Sequence, residues 1–126
     1  MKVLLDEQLP VKLKYRLQPE IEVSTVRDEA WLGIQNGSLI LLALNAGFTI
    51  FITNDKNLGF QQKLARFKIL FINVNQPSNR YDDLLPVILN IKKWLIKNND
   101  IEEIINEKNC LVFPEDFNLD SMTSQP

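Results

Sequence analysis

Phe48-Thr49-Ile50-Phe51-Ile52-Thr53 is the stretch of sequence that decides the fold. Its β-branched and aromatic residues form a short apolar run of the kind typical of a buried strand. A helical stretch at residues 36–46 precedes it, and Gly47 favours the end of that helix. The polar loop Asn54-Asp55-Lys56-Asn57 follows. Helix, strand and loop in this order indicate one unit of an alternating α/β chain.

The same alternation continues on both sides of this unit. We predict strands at residues 2–5, 21–26, 48–53, 67–74 and 110–113, and helices at 9–17, 36–46, 58–66, 82–97 and 100–106. Such a chain favours an α/β fold of three layers, α/β/α, with a central parallel sheet of four to five strands. Right-handed crossovers place every strand-to-helix loop at one edge of that sheet, and ligands bind beyond the carboxyl ends of the strands.

Composition predicts a soluble, cytoplasmic protein with one main domain. The 126 residues are 45% apolar, which is enough for one hydrophobic core. Cys110 is the single cysteine, so no disulfide can form within the chain, and this suits a reducing compartment. We expect no signal segment, because the apolar start runs straight into Asp6 and Glu7, and no membrane helix, because the longest apolar stretch, residues 39–52, is too short.

Charge divides the chain into two parts. Residues 1–98 carry a balance of +4, whereas residues 99–126 carry −6. We therefore predict a domain at residues 1–98 and an acidic, partly disordered C-terminal extension at 99–126. A mildly basic body is compatible with nucleic acid, and it is equally compatible with a simple role in solubility.

The chain contains no histidine, and this excludes several kinds of chemistry. Neither a Ser-His-Asp nor a Cys-His arrangement can be built, and one cysteine cannot supply the usual ligands of zinc. The four glycines do not form a phosphate-binding loop. Carboxylate chemistry remains.

Acidic residues follow three of the predicted strands. Asp6 and Glu7 come directly after the first strand, Asp28 and Glu29 after the second, and Asp55 after the third. Because these strand ends share one edge of a parallel sheet, carboxylates gathered there would repel one another unless a cation joined them. Hard oxygen ligands favour Mg²⁺ or Mn²⁺, which can activate water and stabilise the charge of a phosphodiester under attack.

Each of these residues also has a plain structural interpretation. Asp6 and Asp55 can cap the helices that follow them, and Asp28 and Glu29 can be solvated loop charges. Arg80 follows the fourth strand, where it can bind a phosphate or pair with the acids. The simplest interpretation of Trp31 and Trp94 is that they are packing residues. The simplest interpretation of Lys92, Lys93 and Lys97 is that they form the solvent-exposed face of a long helix.

Four segments in series resemble the PIN-like family related to VapC toxins. They are Leu4-Leu5-Asp6-Glu7-Gln8-Leu9-Pro10, Trp31-Leu32-Gly33-Ile34-Gln35-Asn36-Gly37, Thr53-Asn54-Asp55-Lys56-Asn57-Leu58 and Ser78-Asn79-Arg80-Tyr81-Asp82-Asp83-Leu84-Leu85-Pro86. The resemblance covers residues 1–97. It implies a PIN-like fold and a Mg²⁺- or Mn²⁺-dependent RNA endonuclease, a hydrolase acting as the toxin of a toxin–antitoxin pair.

The resemblance also implies the parts of the site and its partners. Asp6 and Asp55 match the two motif acids and would hold the metal, and Glu7 matches the second opening acid of the catalytic set. Arg80, Lys56 and Asn36 are the candidate substrate-binding residues. Asn36 stands where many relatives have an Asp, which puts a third acid in doubt. The implied partners are an RNA substrate and a small cognate antitoxin, with a homodimer as a further possibility.

Two other classes of function remain open at this point. One is a PIN-like binding module without catalysis, which the neutral Asn36 favours. The other is a phosphoacceptor domain of the response-regulator type, which also has acids after its first and third strands. That class needs a Lys after the last strand and a Ser or Thr after the fourth. The sequence places Asn75-Gln76 after the fourth strand and contains no Lys-Pro.

Overall fold

Five strands form one parallel sheet in the computed structural model, which describes residues 1–55 and 64–117. The strands are β1 (Lys2–Leu5), β2 (Glu22–Thr25), β3 (Ile50–Thr53), β4 (Leu70–Val74) and β5 (Cys110–Phe113). They lie in the order β2-β1-β3-β4-β5, and each neighbouring pair is parallel. The predicted α/β class and parallel sheet are confirmed.

Helices cover both faces of the sheet and complete the three layers. They are α1 (Lys14–Leu17, preceded by a 3₁₀ turn at Val11–Leu13), α2 (Asn36–Asn45), α3 (Tyr81–Lys97) and α4 (Ile101–Glu107). The predicted helix at residues 58–66 falls mostly outside the described residues, which include only its last turn, a 3₁₀ turn at Leu64–Arg66. No helix in the described part of the chain is long and apolar enough to cross a membrane.

Alternation along the strands produces two hydrophobic cores. Leu5, Ile52 and Ile72 point to the face covered by α1 and α3, where Leu13 and Ile88 are fully buried. The other face, under α2, has a second core that contains Leu4, Ile40, Phe51 and Phe71. Successive residues of a strand point to opposite faces, so strands that are apolar on both faces must lie between two layers of helix.

The sheet continues beyond residue 98, where the sequence predicts that the domain ends. β5 pairs with β4, and Leu111, Phe113 and Phe117 are buried in the same core as α3. Asp116 closes the outer edge of β5, because its carboxylate accepts from the Val112 N–H at 2.7 Å and its own N–H donates to the Val112 carbonyl at 2.8 Å. Residues 101–117 are therefore part of the folded domain, although their composition is acidic. The predicted disorder at the C-terminus concerns residues outside the described ranges.

Candidate functional site

The candidate site lies between the carboxyl ends of β1 and β3. The chain leaves β1 toward β2 on one side and returns to β3 on the other, so the strand order reverses between these two neighbours. In open α/β sheets such a reversal opens a crevice at the carboxyl edge, where ligands bind. Asp6 follows β1 directly and Asp55 follows β3 by two residues. The topology therefore brings the two acids to the same crevice.

Asp6 is held in place through both carboxylate oxygens. Its side chain is buried with the residue 9% exposed, and Oδ2 accepts a 2.6 Å hydrogen bond from the Thr53 hydroxyl. Oδ1 accepts from the Glu7 backbone N–H at 2.8 Å. The Asp6 backbone N–H donates to the Ile52 carbonyl at 3.0 Å, which continues the β1–β3 ladder by one residue. Asp6 thus occupies a fixed position rather than a solvated turn.

The electrostatic environment of Asp6 opposes its ionisation. Burial raises the pKa of Asp6, and the hydrogen bonds from Thr53 and from the Glu7 backbone lower it in part. The negative charges of Glu7 and Asp55 raise this pKa further. Among the described residues no Lys or Arg forms an ion pair with Asp6. A buried carboxylate that faces other carboxylates is a position where a bound cation would be strongly favoured.

Two neighbouring strands hold the backbone of Asp55. The Asp55 N–H donates to the Thr53 hydroxyl oxygen at 3.0 Å, and its carbonyl accepts from Asn73 Nδ2 at 3.2 Å. Asn73 on β4 is the register partner of Thr53 on β3. Sequence reasoning missed Asn73 and gave Thr53 no role beyond its place in a motif. The available signal was a polar residue at or near the end of each otherwise apolar strand.

The remaining predicted site residues are placed less centrally. Glu7 is exposed, and it acts on Asp6 through its charge and its backbone N–H. Arg80 is exposed at the beginning of α3, beyond the carboxyl end of β4. Asn36 is the exposed first residue of α2, and no hydrogen bond within the described residues joins it to Asp6 or Asp55. Lys56 lies outside the described residues.

The second pair of acids has local structural roles. Asp28 forms an ion pair with Lys14, which lowers the pKa of Asp28. Glu29 accepts a 2.7 Å hydrogen bond from the Ser24 hydroxyl on β2. Both side chains fasten the turn after β2.

Both tryptophans are packing residues, in line with their plain interpretation. Trp31 lies edge-on to Phe48 with 6.0 Å between the ring centroids. Trp94 lies 4.7 Å from Phe117 between ring centroids and covers the end of the core under α3.

The donor set fits a Mg²⁺-like ion better than an all-protein metal cage. Within the described ranges no group of three or more His, Cys, Asp or Glu residues is arranged to hold a metal ion. Asp6 and Asp55 are nevertheless electrostatically coupled, and each carboxylate oxygen of Asp6 accepts one hydrogen bond and keeps a lone pair. Mg²⁺ commonly uses only one or two carboxylates and keeps several waters.

Compared with protein-family models, with curated proteins and with solved structures, the chain gives no significant match. The fold and the geometry at the carboxyl edge of the sheet therefore carry the functional argument, and the resemblance to the PIN-like family stays a prediction from sequence motifs.

Proposed function

We propose that this chain is a Mg²⁺- or Mn²⁺-dependent RNA endonuclease in which Asp6 and Asp55 hold the metal. One observation carries the proposal: Asp6 is a buried carboxylate at the β1–β3 reversal, it faces the charges of Glu7 and Asp55, and no Lys or Arg of the described residues pairs with it. Leaving such a charge without a partner is costly, and a divalent cation would remove that cost.

The residues around Asp6 have distinct roles in this proposal. Thr53 and Asn73 are positioning residues, because they hold the Asp6 carboxylate and the Asp55 backbone. Arg80 binds a substrate phosphate at the same edge of the sheet, since its exposed guanidinium is suited to bidentate contact with phosphate oxygens. A bound divalent ion would supply water activation and neutralisation of charge on the phosphodiester. A role as a toxin with a small protein antitoxin, and possible pairing into a homodimer, follow from the motif resemblance alone.

The neutral Asn36 supports a second candidate, a PIN-like binding module with little or no catalysis. Asn36 is exposed at the start of α2 and has no hydrogen bond to the acid pair within the described residues. An amide is a weaker ligand than a carboxylate, so a site that relied on Asn36 would bind metal less tightly. This candidate keeps the RNA contact and loses the cleavage.

The phosphoacceptor alternative shares the strand order but lacks the residues it needs. The sheet order β2-β1-β3-β4-β5, with acids after β1 and β3, suits a phosphoacceptor domain as well as it suits a nuclease. β4, however, is followed by Asn75, and β5 ends at the buried Phe113 where a lysine would be needed. Within the described residues, no side chain at the end of β5 can neutralise a phosphorylated Asp55.

The test is RNA cleavage with the full chain in the presence of Mn²⁺, Mg²⁺ or EDTA. We expect cleavage only with a divalent ion, and its loss in Asp6→Asn and in Asp55→Asn. Direct Mn²⁺ titration of the same variants measures the metal site, and circular dichroism shows whether each variant is folded. Cleavage that continues in EDTA or in Asp6→Asn would contradict the proposal. Metal-independent RNA binding without cleavage would favour the binding module, and labelling of Asp55 by a small phosphodonor would favour the receiver type.

A further inference from the structure

An exposed aromatic side chain stands among cations on the first helix of the chain. Tyr15 is 62% exposed, the highest value among the large apolar residues in the described part of the chain, and its side chain takes no part in the hydrophobic core. Lys12 and Arg16 are exposed beside it on the same short helical segment. We call Lys12, Tyr15 and Arg16 the α1 surface.

The local sequence explains why these three side chains face solvent. Leu13 and Leu17, four residues apart, are fully buried and fix the inner face of the helical segment. Tyr15 and Arg16 therefore lie on the outer face. Lys14, the residue before Tyr15, is paired with Asp28 and places its ammonium group 5.1 Å from the centroid of the Tyr15 ring. The negative face of the ring attracts this cation, so the contact helps to hold the exposed ring in place.

One hydrogen bond connects the α1 surface with the carboxyl edge of the sheet. Arg16 Nε donates to the Tyr81 hydroxyl at 2.9 Å, and Tyr81 is the first residue of α3, directly after Arg80. The α1 surface thus adjoins the edge at which Asp6 and Asp55 lie. Two of the nearby acids are already neutralised, Asp28 by Lys14 and Glu20 by Lys92 at 3.1 Å.

We propose that Tyr15 stacks on a base of single-stranded RNA, with Lys12 and Arg16 contacting the flanking phosphates. An exposed ring interleaved with cations is what single-strand binding requires, because every base has a face to stack on and every linkage has a charge. A base paired inside a duplex offers no free face, so the α1 surface would select unpaired RNA. The choice of RNA rests on the proposed nuclease function, whereas the stacking itself does not require cleavage.

The experiment measures binding of a short labelled single-stranded RNA by the full chain in EDTA, where metal-dependent cleavage cannot occur. We expect Tyr15→Ala to lower affinity by about 5- to 150-fold, the range expected for one stacked base, and Tyr15→Phe to keep most of it. The slope of log affinity against log salt should be unchanged in Tyr15→Ala, because stacking releases no counterions. Lys12→Gln should instead reduce that slope by about 0.7.

The matched control is Leu41→Ala, since Leu41 is 55% exposed on α2, a helix without charged residues. Equal affinity of Tyr15→Ala and Leu41→Ala for the RNA would overturn the proposal and would leave the α1 surface to a protein partner. A duplex RNA and a single-stranded DNA of the same sequence form two further arms. If Tyr15→Ala loses the preference for single-stranded over duplex RNA, the result would support stacking. If the unmodified chain binds duplex RNA as tightly as single-stranded RNA, the result would contradict stacking.

A separate cleavage assay with Mn²⁺ keeps the two proposals distinguishable. Stacking without cleavage would overturn the nuclease function and keep the α1 surface. Cleavage that is normal in Tyr15→Ala, together with unchanged affinity, would overturn the α1 surface and keep the nuclease.

Discussion

The Thr53 hydroxyl donates a 2.6 Å hydrogen bond to the carboxylate of Asp6, a residue 47 positions away in sequence. The same hydroxyl oxygen accepts from the Asp55 N–H at 3.0 Å. Thr53 is fully buried and lies on the strand next to the one that leads to Asp6. One small side chain therefore fixes both acids of the candidate site relative to each other.

Replacing Thr53 with valine should destabilise the protein and loosen the site. Valine keeps the shape but leaves the buried Asp6 oxygen and the Asp55 N–H without this partner. We expect a loss of about 1–3 kcal/mol in the free energy of unfolding, measured by denaturant titration. Thr53→Ser retains the hydroxyl and should recover most of the loss. A valine variant as stable as the original would show that the hydrogen bond contributes little.

Asp6→Asn should stabilise the metal-free protein at neutral pH. Because the folded-state pKa of Asp6 is raised above its ordinary value of 3.8, the stability contributed by protonated Asp6 is present below that value. It is lost as pH rises through the folded-state pKa. Asparagine avoids this loss, so the variant's advantage should shrink as the pH is lowered. Thermal melts in EDTA across pH test this, and a less stable variant at pH 7 would indicate a structural cap.

Mn²⁺ should reverse that ranking. Binding to the folded state alone stabilises a protein by about 2.7 kcal/mol when the ion is present at 100 times Kd. The unmodified chain should show this gain and Asp6→Asn should not. Equal gains in the two proteins would place the ion elsewhere.

Asn73→Leu should weaken metal binding without touching a ligand. The Asp55 carbonyl loses its 3.2 Å hydrogen bond from Asn73 Nδ2, so the loop that carries the Asp55 carboxylate is less well fixed. Mutating a residue that orients a metal ligand without binding the metal typically lowers metal affinity by about 10- to 100-fold. The readout is Mn²⁺ affinity by titration, with Asn75→Leu as the control, because Asn75 is exposed just beyond β4. Equal affinities in the two variants would remove Asn73 from the site.

Arg80→Ala should weaken RNA binding by about 10- to 150-fold and leave Mn²⁺ affinity nearly unchanged. The range follows from the loss of a charge-assisted hydrogen bond to phosphate. Arg80 is exposed and outside every ion pair of the described residues, so folding should be preserved. A drop in Mn²⁺ affinity would instead make Arg80 a brace for the acids.

Truncation after Asn98 should unfold the chain. The charge balance alone suggests a removable acidic tail that competes with RNA for basic surface. β5 is, however, an edge strand of the sheet, and Leu111, Phe113 and Phe117 are buried. Circular dichroism of residues 1–98 tests this, and a cooperative melt would contradict it. Competition by the acids is better tested with Glu102→Gln, Glu103→Gln and Glu107→Gln in the full chain.

Local pattern was sufficient for the five strands and for four of the five predicted helices, since the helix predicted at residues 58–66 lies mostly outside the described residues. Residues 2–5 and 110–113 alternate or cluster apolar side chains strongly enough that the predicted and observed bounds of β1 and β5 agree. Elsewhere the ends shift: β4 begins at Leu70 rather than Phe67, because the backbone N–H of Phe67 bonds the Leu64 carbonyl in a 3₁₀ turn. Such a turn competes with extended structure and leaves no distinct apolar pattern.

The sequence by itself determined the fold class and the two acids worth testing, because hydrophobic period and polar residues after strands are local properties of a chain. Only the tertiary structure decided which strands are neighbours. The order of the strands in the sheet places β1 beside β3, and this buries Asp6 against Thr53. It also puts Asn73 in register with Thr53. Asp28 lies away from this site and pairs with Lys14. The physical reason is that a strand's pattern fixes which side chains are buried, whereas its neighbours depend on crossovers and on the burial of the whole sheet.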